Sequence, residues 1–525
     1  MFSLMDGKRD YAYGSSAVGA KPKLAFVDDS SRTLFIEFGV AGKLTVTTLT
    51  NHEYEDQNMN RRAFLKIALA TSGVAMAGYF GPKLLDVANT SVQALGNELQ
   101  TGTTTLSTDD WKIPHLLRRA GFGASPSELD SFESLGVNGS LNQLLNYENI
   151  DDSGLASEPN ITMGLTRKPS TAEIVNLVSW WIGRMVNTPR SLEEKMTLFW
   201  HNHFATAIYK VRSPYLMFKQ NQLLRSQAMG NFRDLLMRIT EDPAMLIWLD
   251  GARNRKEAPN ENYGREIMEV FTIGVGNYTE DDVKAAARAF TGYQINRSGN
   301  SHFNPNQHDN GMKTFLGQTG NFGPEDIVSI LASHPATATS LARKLFTYFA
   351  YRNPSDDTLN RIAGVYTQTD GNIKAVVQAI LTSDEFWSPQ AYLSQVKSPI
   401  EYVTTALRSL GATVNPRASV GMLNNMGQLP FDPPSVFGWP DGVAWINTSS
   451  MLDRYNFPLF VQHPYNAAVA FEDSVETATR TLFPEGLPPD VLQVIQQSTE
   501  SLTDTTEQLR NLIRLTMSTP YYNLN

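Results

Sequence analysis

The chain has 525 residues, of which 41% are hydrophobic and 18% are charged, a composition typical of a globular protein with an apolar core. Its formal net charge of −9 argues against binding to the phosphate backbone of nucleic acids, since such proteins carry a basic excess. The sequence contains no cysteine, which excludes disulfides, thiolate metal sites and a cysteine nucleophile. The lack of thiols also suits an oxidising compartment.

Paired arginines mark the most specific local motif, Asn60-Arg61-Arg62-Ala63-Phe64-Leu65-Lys66. Such a pair ahead of a modest apolar run is typical of a twin-arginine signal peptide. The run, residues 67–80, has 14 residues, fewer than the roughly 17–25 of a membrane span. Val92 and Ala94 predict cleavage after Ala94, the alternative being an uncleaved anchor. We expect a periplasmic or extracellular protein whose mature chain has no stable membrane span.

The signal motif does not begin the sequence, because residues 1–58 precede it. Met59 stands directly before Asn60, so a start at Met59 gives a short basic region of normal length. We predict that residues 1–58 are an over-extended gene start and that residues 59–94 are the signal peptide. The alternative is a genuine extension, in which residues 24–27 and 34–38 pair as short strands.

Helix start signals recur along the rest of the chain. Capping boxes are predicted at Ser125–Glu128, Ser170–Glu173, Ser191–Glu194 and Ser398–Glu401. Thr279 with Asp282 is a near-match. Helical spacing of apolar residues follows these starts, and alternating strand patterns are scarce. We therefore predict an all-α domain over residues 111–525, preceded by a linker over 95–110.

Two later stretches have little helical character. Residues 294–324 are rich in Asn, Gly and His, and residues 428–448 carry four prolines among aromatic residues. Long loops on a helical scaffold are where binding and catalytic residues concentrate. Both stretches therefore supply candidate functional side chains.

His201 and His203 form the first candidate site, at the end of a predicted helix. Residues i and i+2 point about 200° apart on a regular helix, so the pair could ligate one ion only if the helix ends or distorts there. Imidazole is a common metal ligand. The alternative is two core histidines bonded to backbone carbonyls.

Carboxylates on a second predicted helix form another candidate. Asn260 is its predicted cap, and Asn262, Glu266 and Glu269 then share one stripe beside an apolar face. Desolvated carboxylates need an ion or an arginine, and nearby arginines, Arg265 among them, are the alternative to a metal. The polar residues from position 250 onward include calcium-type oxygen donors, but their spacing does not match an EF-hand loop.

The two loops supply the remaining candidates. His308 and Asp309, with Lys313 nearby, suit metal binding or acid–base chemistry, although a solvated loop has the same composition. Trp439 and Trp445 could stack on a sugar or a peptide, but tryptophans on such loops more often pack onto the core. The sequence carries no Gly-x-Ser-x-Gly, no phosphate-binding Gly-rich loop and no His-Glu-x-x-His.

Together these segments resemble one family, the bacterial domain of unknown function 1800. The resemblance covers nearly all of the mature chain and is strongest across residues 249–292. It is carried by residues 115–123, 199–204, 259–263, 265–266, 268–269, 271–272, 274, 308–309, 313–317, 334–338, 343–345, 397–399, 433–434, 438–440 and 445–447. One departure is Gly264, where the family usually has Ala. The resemblance implies a helical exported bacterial protein, often encoded beside a sulfatase-like exported protein as a possible partner, and it implies no reaction.

Two functions from different classes follow from these patterns. The first is a metal-dependent, hydrolase-like enzyme in which His201, His203, Glu266 and His308 bind a divalent ion. In this hypothesis the catalytic residues are Glu266, Glu269, Asp309 and Lys313, and the substrate-binding residues are Arg265, Trp439 and Trp445. The second is a non-catalytic cell-surface or assembly protein, stabilised by calcium, whose acids bind Ca²⁺ or arginines. A carbohydrate-binding module using Trp439 and Trp445 is a third hypothesis.

Overall fold

The computed structural model describes the following residues: 23–27, 32–38, 44–50, 90, 109–155, 158–162, 168–462, 474–500, 502 and 504–525. Apart from Thr90, the predicted signal peptide lies outside these residues, as does the predicted linker up to position 108. The chain divides into two units, Met1–Asn60 and Arg61–Asn525.

The described part of the first unit is a three-stranded antiparallel sheet. Its strands are β1 (Lys23–Val27), β2 (Arg32–Phe38) and β3 (Leu44–Thr50), in that order. The pairing of β1 with β2, which joins Leu24 to Ile36, is the one expected for a genuine N-terminal extension. Whether residues 1–58 are translated stays a prediction.

The second unit is helical, as the spacing of caps and apolar residues predicts. Its described α-helices are α1 (Lys112–Arg119), α2 (Pro126–Leu145), α3 (Thr171–Asn187), α4 (Ser191–His203), α5 (Ile208–Val211), α6 (Pro214–Ser226), α7 (Phe232–Glu241), α8 (Pro243–Trp248), α9 (Glu261–Glu269), α10 (Glu280–Ala289), α11 (Pro324–Ala332), α12 (Pro335–Phe349), α13 (Asp356–Gln368), α14 (Ile373–Leu381), α15 (Pro399–Ser409), α16 (Pro416–Asn425), α17 (Thr448–Asn456), α18 (Ser474–Leu482), α19 (Pro489–Glu500), α20 (Thr505–Ser518) and α21 (Pro520–Asn523).

Short hairpins interrupt the helices in a stretch predicted to be irregular. Strand β4 (Tyr293–Ile295) pairs with β5 (Ser301–Phe303), and β6 (Lys313–Phe315) pairs with β7 (Gln318–Gly320). Both pairs are antiparallel, and the second turns through two residues with positive φ, as tight hairpins require. The segment over 294–324 is therefore mostly non-helical, as predicted, and it contains two hairpins that were not predicted. A last pair, β8 (Thr413–Val414) with β9 (Val461–Gln462), lies nearer the C-terminus.

Capping boxes start four of these helices as predicted. The side chains of Ser125, Ser170, Thr279 and Ser398 each accept the backbone N–H three residues ahead, and the acid there reaches back to the cap. Each box satisfies two backbone donors that a helix end leaves free. Because these contacts join residues only three positions apart, the helix starts can be predicted from the sequence.

The capping box predicted at Ser191 does not form. Ser191 is already helical, the residue before the helix is Arg190, and neither makes a side-chain cap. Glu194 is instead fully buried, where its carboxylate binds Arg184 at 2.8 Å and Arg225 at 2.6 Å. A buried carboxylate needs such partners. Glu194 therefore binds these arginines instead of capping the helix start, which is the role that its spacing predicted.

Helix α4 is the centre of the second unit. It packs against α2, α3 and α6, and all of its residues except Asn202 are buried. Trp200, in the last turn of this helix, is fully buried and donates its indole N–H to the carbonyl of Ala228 at 2.8 Å. The histidines at the end of α4 are thus held in a rigid part of the core.

Gly264 marks a close approach between α9 and α10. A Cβ at this position would lie 3.1 Å from the backbone nitrogen of Ala287 and 3.2 Å from the carbonyl oxygen of Val283. An alanine, usual in the resembling family, would require the two helices to separate by a few tenths of an ångström. In this chain the glycine therefore permits tighter packing of the carboxylate-bearing helix.

Candidate functional site

His201 accepts a hydrogen bond from a distant loop. Its Nε2 atom takes the backbone N–H of Phe431 at 3.0 Å, and its ring packs against Trp181, Phe431 and Trp439. The ring is buried, and this desolvation lowers the pKa of His201 to about 3. His201 is therefore neutral, and it fixes the first turn of the loop over 428–447.

Asn202, the next residue, holds the same loop at a second point. Its Oδ1 atom accepts the backbone N–H of Trp439 at 2.7 Å. Gly438 has a φ of +81°, and a Cβ there would lie 2.6 Å from the backbone oxygen of Asn202 and nearer still to its side-chain oxygen. The glycine is required because the loop backbone rests directly on the helix.

The side chain of His203 points away from that of His201, as expected for residues two apart on a regular helix. Its Nε2 atom lies 3.1 Å from the carbonyl oxygen of Phe271, so this nitrogen carries the proton and donates. Its Nδ1 atom lies 3.3 Å from the ammonium of Lys344 and accepts from it. Burial, followed by the nearby Lys344 charge, lowers the pKa of His203 well below its usual value.

The three consecutive polar residues therefore fix two loops to the end of α4. Two bonds fasten the loop over 428–447, and one fastens the segment that follows α9. Helix α4 stays regular through His203, so the two imidazoles diverge. The sequence hypothesis in which both histidines ligate one ion required a distortion that is absent from this helix.

Lys344 lies beside His203 on α12. Its ammonium donates to the carbonyl oxygen of Val270 at 2.8 Å as well as to the imidazole. No carboxylate pairs with it among the described residues. Burial lowers the pKa of Lys344 to about 8, because removal from water disfavours the charged form.

A cleft of about 390 Å³ opens where α4, α12 and the loop over 428–447 meet. Its walls combine apolar and aromatic side chains with about as many polar and charged ones. It is lined by Leu198, Phe199, Asn202, His203, Val270, Arg343, Lys344, Thr347, Tyr348, Gln395, Val396, Ser398, Glu401, Gln428, Phe437, Trp439, Pro440, Asp441, Gly442 and Trp445. We call this feature the α4–α12 cleft.

The unpaired charge in the α4–α12 cleft is positive. Its two carboxylates already have partners, since Glu401 pairs with the buried Lys195 and Asp441 pairs with Arg352. Arg343 is exposed, and its guanidinium makes no ion pair or hydrogen bond within the described part of the chain. Together with Lys344 it gives the cleft two cations without a carboxylate, against the overall negative charge of the protein.

Aromatic residues of the loop form one wall of this cleft. Trp439 and Trp445 are only 5% and 4% exposed, so most of each ring is packed against the protein. Phe437 is 67% exposed at the same loop. The two tryptophans thus form a fixed wall, and Phe437 is the exposed aromatic ring that lines the same cleft.

Glu266 and Glu269 on α9 do not line the α4–α12 cleft. Glu269 accepts the hydroxyl of Tyr278 at 2.5 Å, and Arg265 forms a two-bonded pair with Glu280 at 2.8 Å. The Oε2 atom of Glu266 is buried without a hydrogen-bond partner, and desolvation, with the neighbouring Glu269 charge, raises the pKa of Glu266. The predicted alternative, in which these acids pair with a nearby arginine, is therefore not seen, because Arg265 pairs with Glu280 and Glu261 instead.

The loop candidates His308, Asp309 and Lys313 form a structural cluster of their own. His308 is buried and its Nδ1 atom donates to the carbonyl of Thr291 at 2.9 Å. Asp309 binds Arg288 through both oxygens, at 2.6 and 3.0 Å, which holds the pKa of Asp309 at about 2. Lys313 is buried and donates to the carbonyls of Asp309 and Gly311. These contacts brace the base of the second hairpin.

The predicted metal ligands do not come together. Within the residues that the structure describes, which include all of the predicted ligands, there is no group of three or more His, Asp or Glu side chains placed to hold a metal ion. The physical reason is that each histidine already has a backbone partner on a different element. Of all the predicted site residues, the structure brings only His203, Trp439 and Trp445 to one cleft.

Sequence reasoning missed the cations of the cleft. Arg343 and Lys344 lie within a helix, and although residues 343–345 carry part of the family resemblance, nothing there marks them as site residues. Lys344 reaches His203 across 141 positions of sequence, and Asn202 reaches Trp439 across 237. No local pattern encodes such contacts, so only the fold could reveal them.

No helix in the described parts of the chain is both long and apolar enough to cross a membrane. No curated protein and no solved structure matches the chain. The model of one protein family does match, over residues 115–524, and its description reads "Protein of unknown function (DUF1800)". This match runs from within α1 to the end of α21 and includes the whole α4–α12 cleft. The chain is therefore a member of the DUF1800 family, as the sequence motifs predicted.

Proposed function

We propose that this protein is exported and that it binds an anionic ligand in the α4–α12 cleft. The observation that carries the proposal is the pair of adjacent cations, Arg343 and Lys344, which lack carboxylate partners while the acids of the cleft are already neutralised. A cation in a partly desolvated cleft attracts an anion strongly because little water screens it. The apolar wall formed by Trp439 and Trp445 favours a ligand whose anion is attached to a flat or apolar body.

Binding is favoured over metal-dependent hydrolysis by the same geometry. Lys344 occupies the free nitrogen of His203, and an ammonium at 3.3 Å repels a divalent cation. The two other histidines of the predicted set donate to or accept from backbone groups on separate elements. We therefore prefer the second sequence hypothesis, a non-catalytic binding protein, to the metal-dependent enzyme. Calcium is not part of this proposal.

A thermal-unfolding panel tests the binding proposal. Aromatic carboxylates, uronic acids, phosphate and sulfate are added separately to the purified protein, with sodium chloride at equal ionic strength as the reference. A ligand at about 100 times its Kd stabilises the fold by about 2.7 kcal/mol, which raises Tm. We expect at least one anion to do so and Lys344→Gln to abolish the effect. Arg361→Gln is the matched control, since Arg361 pairs with Glu385 outside the cleft. An equal response in wild type and Lys344→Gln for every anion contradicts the proposal.

Export through the twin-arginine route is supported by the motif around Arg61 and Arg62 and by the lack of cysteine. Its test is cell fractionation of the native protein and of the double variant Arg61→Lys, Arg62→Lys. We expect the wild type to lose residues up to Ala94 and to leave the cytoplasm, and the double variant to be retained in it. Export of both proteins alike would contradict this route. The sulfatase-like partner implied by the family stays a prediction.

A further inference from the structure

We infer that Lys344 is a reactive amine and that the α4–α12 cleft forms a Schiff base with an anionic aldehyde or ketone. This inference rests on the proposed function, because the same cleft must first hold the anion. It deepens that function by naming the chemical class of the ligand: a carbonyl compound that also carries an acid group.

The surroundings of Lys344 differ from those of most lysines that the structure describes. Lys195, Lys210 and Lys374 each pair with a carboxylate, respectively Glu401, Asp250 and Glu148. Lys344 is half-buried in a cleft, and its contacts are one carbonyl oxygen and one neutral imidazole nitrogen. An amine without a counter-ion in a desolvated pocket is the arrangement that activates a lysine as a nucleophile.

The charged and titratable groups that line the cleft around Lys344 do not reverse this effect. They are His203 from α4, Glu401 from α15, Asp441 from the loop, and Arg343 and Tyr348 from its own helix. His203 is neutral, and each of the two acids is committed to its own cation. Burial alone lowers the pKa of Lys344 to about 8.

The second cation gives the reaction its specificity for acids. Arg343 neighbours Lys344 on α12, is exposed, and lines the same cleft. A planar guanidinium can bind a carboxylate or a phosphate through two parallel hydrogen bonds. An anionic group held by Arg343 would keep the attached carbonyl carbon near the Lys344 amine, which raises its effective concentration.

The covalent step balances without any further reagent. The ammonium of Lys344 first releases a proton to water. The neutral Nζ then donates its electron pair to the carbonyl carbon, a C–N bond forms, and the carbonyl oxygen takes a proton from Nζ. Loss of this oxygen as water leaves the C=N bond of the imine. The products are one imine and one water molecule from one amine and one carbonyl compound.

Reductive trapping with glyoxylate tests this inference. The purified full chain at pH 7 receives glyoxylate and borohydride, and peptide mapping measures the labelling rate at each lysine. Borohydride reduces the imine to a stable secondary amine, so each labelled lysine gains a carboxymethyl group. We expect Lys344 to be labelled at least ten times faster than Lys284, which is exposed and pairs with Asp281. Acetaldehyde, which lacks the anion, should show a smaller preference for Lys344.

Comparison within one protein sample removes the risk that a variant fails to fold. Labelling of Lys344 no faster than Lys284 overturns the Schiff-base inference. If the anion panel still shows Lys344-dependent stabilisation in that case, the proposed anion binding survives. Lys344→Arg, which keeps the charge but forms no stable imine, should retain anion binding and lose the preferential label. Loss of the label preference by Arg343→Gln supports the role of the second cation.

Discussion

Replacement of Gly438 by alanine probes the contact on which the cleft is built. Gly438 has a φ of +81°, in the left-handed region where a Cβ costs roughly 1–2 kcal/mol. The added Cβ would also lie 2.6 Å from the backbone oxygen of Asn202 and closer to its side-chain oxygen. One of the two segments must therefore move, and the movement breaks the bond from the Trp439 N–H to Asn202.

The expected loss of stability follows from these two costs. A buried backbone N–H left without an acceptor costs about 1–3 kcal/mol. With the conformational cost, Gly438→Ala should lower the free energy of unfolding by about 2–5 kcal/mol. If the loop detaches locally instead, the global loss is smaller and the anion response of the cleft disappears.

Gly274→Ala is the matched control for this experiment. Gly274 also has a positive φ, of +79°, but a Cβ there would meet nothing within 4 Å. Urea unfolding followed by circular dichroism measures both variants. We expect Gly438→Ala to be the less stable by about 1–3 kcal/mol or to lose anion binding. Equal stability, within about 0.5 kcal/mol, together with unchanged anion binding would refute the reasoning.

Three further predictions concern buried charges and metals. Since burial lowers the pKa of His201 to about 3, the unfolded chain protonates first as pH falls below about 6.5. Stability is therefore complete above pH 6.5 and is lost toward pH 3. Between pH 7 and pH 5 the wild type should lose about 2 kcal/mol more unfolding free energy than His201→Gln, and parallel pH profiles would contradict this. Glu194→Gln leaves the largely buried Arg225 without a carboxylate, while Arg184 keeps Asp152, and it should cost about 3–5 kcal/mol in urea unfolding. Glu261→Gln, at a more exposed pair, should change the unfolding free energy little, and similar losses in the two variants would contradict the buried-ion argument. Elemental analysis of natively exported protein should find zinc, iron, manganese and copper well below one ion per chain; a stoichiometric metal that is lost in His203→Gln or Glu266→Gln would restore the metalloenzyme hypothesis.

The sequence was sufficient for features set by neighbours along the chain. The boxes at Ser125 and Ser398 formed because a cap and its acid lie three residues apart, within one turn of helix. The divergence of His201 and His203 followed from the 100° step of the helix. Family membership was also predicted, because the motifs recur over most of the chain.

Features set by distant contacts escaped local patterns. Glu194 has the spacing of a capping acid, but its buried carboxylate forms ion pairs with Arg184 and Arg225 instead. The imidazole of His201 looked like a metal ligand until the fold placed the N–H of Phe431, 230 residues away, against its nitrogen. Lys344 carried a signal of family membership but none of a binding role. The sequence shows which residue types could bind a metal or a ligand, but only the fold determines which hydrogen-bond partner each polar atom has.

Titration calorimetry on the α4–α12 cleft tests the central claim most directly. The ligand is the carboxylic acid with the largest effect in the thermal panel, compared with its neutral methyl ester, for the wild type and for Lys344→Gln. We predict that the wild type binds the acid at least ten times more tightly than the ester and that Lys344→Gln removes this difference while Arg361→Gln keeps it. Equal affinity of the wild type for acid and ester, or a preference that survives in Lys344→Gln, would contradict an anion site built on Lys344.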